Sequence, residues 1–115
     1  MTLLTIKLKA IQAALVEVLP ATFHYWRPIN NDRTPFIIWA EQGENSRLDV
    51  NNFKDLQAIG GNIEFYTKKE FDPLVDDIQS RLQGLQLKMP FGWVLDAVQY
   101  EDSTGLIHYS WAFEV

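Results

Sequence analysis

The stretch NIEFYTKKEFDPLVDDIQSRL, residues 62–82, decides the reading of the fold, because its hydrophobic period changes part-way along. Up to Thr67 the side chains alternate, Ile63 and Phe65 facing one way, Glu64 and Tyr66 the other, as in a strand with two unlike faces. Further on, Leu74, Ile78, Leu82 and Leu85 recur at the spacing of a helix with one buried stripe. A strand therefore runs almost directly into a helix. Thr67-Lys68-Lys69-Glu70 fits a capping box, with Tyr66 and Phe71 placed as its hydrophobic staple. Asp72 as N-cap with Pro73 in the first helical position is the competing start. Asp76 and Asp77 then suit the helix dipole. A proline deeper inside would cost a hydrogen bond, so a loose first turn and a regular helix from about Pro73 are expected. Gly84 is a natural C-terminal cap.

Two lysines at such a junction raise the question of a phosphate-binding loop. No Gly-rich run precedes the helix, and neither GxxxxGK[ST] nor GxGxxG occurs in the chain. The junction reads as a structural corner.

Working outward, residues 4–19 predict a helix with Leu4, Leu8, Ile11, Leu15 and Val18 (or Leu19) on its stripe and Lys7, Lys9, Gln12 and Glu17 largely off it. Pro20 ends it. A short apolar stretch, 22–26, precedes loop chemistry over 27–35. Residues 36–42 predict a strand whose FIIW block suggests burial on both faces. Residues 43–52 are polar and broken, with a possible extended piece at 47–50. A strand over 56–66 carries Gly60-Gly61, the mark of a bulge or bend. Strands 91–101 and 106–115 flank EDSTG and predict a hairpin. In the last strand Ile107, Tyr109, Trp111, Phe113 and Val115 share the apolar face. The expected fold is α+β: a mostly antiparallel sheet of four to five strands with two helices packed on it, in one domain over residues 1–115.

Composition narrows the function. The 115 residues are 47% hydrophobic and include four Trp and seven Phe, enough for a core. Without cysteine there are no disulfides, thiol chemistry or Cys-bound metals. No apolar run approaches the ~20 residues of a membrane span. The first twenty residues do not read as a signal peptide, so a protein kept in a cytoplasm is expected. Ten basic against fifteen acidic residues give a net charge of −5, with no basic stripe for gripping nucleic acid.

Catalytic chemistry finds no support. His24 and His108 are far apart with no carboxylates spaced around them, and read as half-exposed strand histidines rather than metal ligands. Asp72, Asp76 and Asp77 read as helix-start acids, and Glu41, Glu44, Asp49 and Asp55 as loop acids. The serines fall in no GxSxG motif. No catalytic, cofactor or metal residue is assigned. Tyr25, Trp26, Trp39, Trp93, Tyr109 and Trp111 could line a ligand pocket, but core packing accounts for most of them. Tyr25 and Trp26, beside the 27–35 loop, are expected to stay exposed for a partner.

The succession of an N-terminal helix, "PFIIWAEQG", "GGNIEFYTKKEFDPLVDDIQSRL" and the hairpin "GWVLDAVQYEDSTGLIHYSWAFEV" resembles the small tail terminator, or tail-to-head joining, proteins of long-tailed bacteriophages and prophages. The resemblance covers residues 4–115. It implies a structural, non-enzymatic protein of the virion neck, assembled in the bacterial cytoplasm. Such proteins form six-membered rings that stop tail-tube growth and bind the tail-tube and head-connector proteins. DNA then passes through the ring without sequence-specific binding, and an acidic lumen would keep it from sticking. The region 43–55 is short for the family. The irregular segments suggest an assembly surface of Tyr25, Trp26, Arg27, Arg33, Glu44, Arg47, Asp49 and Asp55. Another neck or tail morphogenesis component, or a small-ligand-binding α+β domain, are the alternatives.

Overall fold

A computed structural model describes residues 3–28, 33–44 and 57–115. The order of elements is α1 (Leu4–Val18), β1 (Thr22–His24), β2 (Phe36–Glu44), β3 (Ile59–Thr67), α2 (Leu74–Lys88), β4 (Gly92–Glu101) and β5 (Leu106–Glu114). The strands form one sheet in the order β1-β2-β3-β5-β4, with every neighbouring pair antiparallel except β1 with β2. The α+β expectation holds.

Register explains which residues form the core. Ile37 pairs with Phe65, Trp39 with Ile63, and Ile63 with Trp111, so these side chains project from one face. Both helices supply the cover, through Ile11 and Leu15 of α1 and Ile78, Leu82 and Leu85 of α2. Trp111 and Phe113 lie inward, as the alternation of β5 predicts. The opposite face carries Phe36, Tyr66 and His108 in one row and Ile38, Glu64 and Ser110 in the next.

Gly61 sits where the sheet can accept no side chain. A Cβ there would stand 2.3 Å from the Ala40 carbonyl oxygen and 2.6 Å from the Phe113 ring. The irregularity foreshadowed by Gly60-Gly61 falls on the neighbouring strand: the β2–β3 register shifts between Glu41 and Gly43.

The corner after β3 resolves in favour of the aspartate. The Leu74 N–H donates to Asp72 Oδ1 at 2.9 Å, and Pro73 already has helical backbone angles. Thr67 serves this cap from behind. Its buried hydroxyl donates to Asp72 Oδ2 at 2.7 Å and accepts the Lys69 N–H at 3.1 Å. The Thr67–Glu70 capping box does not form, and Phe71, 87% exposed, is no staple. A buried threonine-aspartate pair satisfies the helix start better than an exposed glutamate could.

Other expectations also need correction. Gly84 does not end α2, which continues to Lys88, because helix-to-helix packing around Leu85 outweighs the modest cost of an internal glycine. Lys7 is buried rather than off the stripe: its stem lies along the core edge while Nζ donates to the Gln57 carbonyl at 3.0 Å. β3 begins at Ile59, and residues 57 and 58 precede it outside any strand. The extended piece at 47–50 lies outside the described residues.

Candidate assembly surface

β1 is only three residues long, but its parallel pairing with β2 sets His24 beside Trp39. The two rings stack at 4.1 Å, and Tyr25 stacks on the other face of His24 at 3.8 Å. Trp39 is anchored beneath by its indole N–H, which donates to Gln12 Oε1 of α1 at 2.6 Å. Glu41, two residues along β2 and so on the same face, closes the group. Its Oε1 lies 2.6 Å from His24 Nε2, and its Oε2 accepts the Tyr25 hydroxyl. The chain turns sharply here, with Tyr25 in the left-handed region at φ 77°. A non-glycine residue in that conformation is costly, and the stacking and hydrogen bonds hold it there.

The electrostatics follow from this packing. Partial burial pushes the Glu41 carboxyl up, but the hydrogen bonds from Tyr25 and then His24 outweigh it, and the group stays below the usual carboxylate range. The same bond to Glu41 pushes the Tyr25 hydroxyl up, helped by burial and by the carboxylate charge. Tyr25 is thus a proton donor fixed on an ionised acceptor at neutral pH.

What this scaffold presents is apolar. Tyr25 is 56% exposed and the following Trp26 67%. Next to them the Arg27 guanidinium lies over the Phe36 ring, 4.3 Å from its centroid. Phe36, itself buried, begins a row across the sheet face opposite the helices: it stacks on Tyr66 at 4.8 Å, and Tyr66 on His108 at 4.3 Å. These distances are close to the spacing between neighbouring strands, as expected for rings standing on paired positions. Burial, then the nearby charges of Glu64 and Glu101, push the Tyr66 hydroxyl up to about 12, with Arg27 opposing. Glu64 also lies 3.4 Å from His108 Nε2.

Of the residues assigned to the assembly surface, Tyr25, Trp26 and Arg27 come together. Glu44 stands apart at the end of β2, where it accepts a hydrogen bond from Gln57 at 2.7 Å. Arg33 is exposed. Arg47, Asp49 and Asp55 lie outside the described residues. Glu41 and Glu44 are strand residues, not loop acids, and His24 and His108 do each meet a glutamate. Sequence reading missed the His24–Trp39–Glu41 scaffold because the partners are 15 and 17 residues away and meet only through a parallel strand pair.

No group of three or more metal-ligating side chains converges among the described residues. A groove of about 590 Å³ lies between the helices, lined by Ala10, Ala14, Ser80 and Gly84 and bridged by the Arg81–Glu17 ion pair at 2.7 Å. It contains none of the aromatic residues considered as ligand-stacking positions.

No protein-family model matches the chain, and no curated protein matches it.

Proposed function

We propose that this chain is a structural protein of the tail terminator, tail-to-head joining class: a six-membered ring that caps the tail tube of a long-tailed phage or prophage and joins it to the head connector. The resemblance in sequence motivates the class. The observation that carries an assembly role is the Tyr25–Trp26 pair. These are two large aromatics, more than half exposed, on a backbone turn fixed by stacking and by Glu41. Trp and Tyr are the residues that most often carry interface energy, and a pre-ordered aromatic loses little entropy when it docks. In this role the chain performs no catalysis. Its acidity lets DNA pass through the ring without gripping it.

Free subunits of charge −5 repel one another, and added salt shortens that repulsion to ~10 Å at 0.1 M. The protein is therefore expected to be monomeric when dilute at low salt, and to move towards a ring at higher salt or concentration or with tail-tube protein. Light scattering after size exclusion, with negative-stain imaging, reads this directly. Trp26→Ala should melt like the wild type yet fail to form rings or to join tails to heads in a complementation assay. Full joining by a folded Trp26→Ala protein would remove Trp26 from the surface. A wild-type protein that never forms rings and never co-purifies with tails would end the phage reading.

A further inference from the structure

Among the described strands, β4 closes one side of the sheet and has a neighbour on one flank only. It is ten residues long and contains no lysine, arginine or proline. Its protective devices are a register shift between Leu95 and Ala97, which leaves Asp96 as an extra residue, and the exposed carboxylates of Asp96 and Glu101. Val94, Leu95, Val98 and Tyr100 are 41–63% exposed along it. The opposite edge, β1, has only three residues. A solvated edge of this kind is a template for another extended backbone, because its N–H and C=O groups repeat at the strand spacing. Among the described strands of this chain, the one free edge long enough to match β4 is β4 itself.

We propose that β4 pairs antiparallel with β4 of a second copy, about a two-fold axis at Gln99. The regular segment beyond the bulge, residues 97–101, makes this register self-complementary. Tyr100 faces Val98 of the second copy, an aromatic on a β-branched side chain, which is a favourable cross-strand pair. Gln99 faces its own counterpart and Glu101 faces Ala97, so within 97–101 no like charges stand opposite; one step further, Asp96 at the bulge comes opposite Asp102 in the turn, which weakens the pair. A parallel, in-register pair would instead set Glu101 against Glu101 within the same 97–101 segment. The four exposed apolar side chains fall well short of the ~800 Å² per partner of a standard interface, so the dimer is weak and depends on concentration. A two-fold contact closes on itself, so this pairing neither requires nor excludes a ring built through the Tyr25–Trp26 surface.

The chain has no cysteine, so a single one reports on the pairing without background. In the full-length protein, Gln99→Cys places two thiols opposite each other, where strand-paired Cα atoms stand ~4.5–5.5 Å apart, within disulfide reach. Under mild oxidation at raised salt, Gln99→Cys should form covalent dimer at least ~10-fold faster than Ser103→Cys in the β4–β5 turn, because pairing replaces chance encounter. Adding Val98→Asp to Gln99→Cys should remove that advantage while leaving the melting curve cooperative, since Val98 is half exposed. Equal cross-linking at the two positions, or a rate untouched by Val98→Asp, would overturn the proposal.

Discussion

Truncating Trp111 is the sharpest test of how the sheet faces its helices. The indole is fully buried, stands between Ile63 and Leu95 on the neighbouring strands, and donates its N–H to Gln79 Oε1 of α2 at 3.1 Å. An aromatic at the top of the ~150–250 Å² range, at ~25 cal/mol per Å², is worth about 6 kcal/mol. The unfolded chain already shields part of that area, which brings the expected cost of Trp111→Ala to about 3–5 kcal/mol. The orphaned Gln79 is half-buried and can turn to water, so it adds little. At ~2.1 cal/mol/K per residue the unfolding entropy of this 115-residue chain is about 240 cal/mol/K, so a loss of ~4 kcal/mol lowers Tm by roughly 17 °C. Urea unfolding followed by circular dichroism should show an earlier midpoint with an unchanged slope. Trp26→Ala is the internal control: the same chemical change at an exposed site should cost no more than ~0.5 kcal/mol. If both variants melt within a few degrees of the wild type, or if Trp26→Ala costs as much as Trp111→Ala, the assignment of faces is wrong.

Asp72→Ala removes both the acceptor of the Leu74 N–H and the partner of the buried Thr67 hydroxyl, and should cost about 1–2 kcal/mol. Because Thr67→Ala breaks the same bond, the double variant should cost less than the sum of the two, and strict additivity in a urea-based cycle would refute the shared cap. Glu41 titrates in the folded protein below its ordinary value of 4.5, so its stabilising contribution is complete above that value and is lost as pH falls through the depressed one. The Tm advantage of wild type over Glu41→Gln should therefore shrink on acidification below the ordinary carboxylate range, and a constant difference at every pH would show that the Tyr25–Glu41–His24 bonds contribute nothing.

Local pattern was enough for the elements and most of the core. Alternation in 106–115 fixes which face of β5 holds Trp111 and Phe113, because side chains two apart must share a face whatever the strand pairs with. The stripes Ile11–Leu15 and Ile78–Leu82–Leu85 likewise follow from the pitch of a helix alone. The long aromatic hairpin and the strand-to-helix corner were legible for the same reason: each is a relation between residues close in sequence. Which of two local caps forms was decided by burial, since Thr67 and Asp72 meet in a water-poor corner that the sequence does not display. Tertiary structure alone placed β1 parallel to β2, joined His24 to Glu41, and lined Phe36, Tyr66 and His108 in one stack across three strands. It also put β4, rather than β5, at the open edge of the sheet. Each of these depends on strand order and register, which are set by the packing energy of the whole sheet and leave no periodic trace in any one segment.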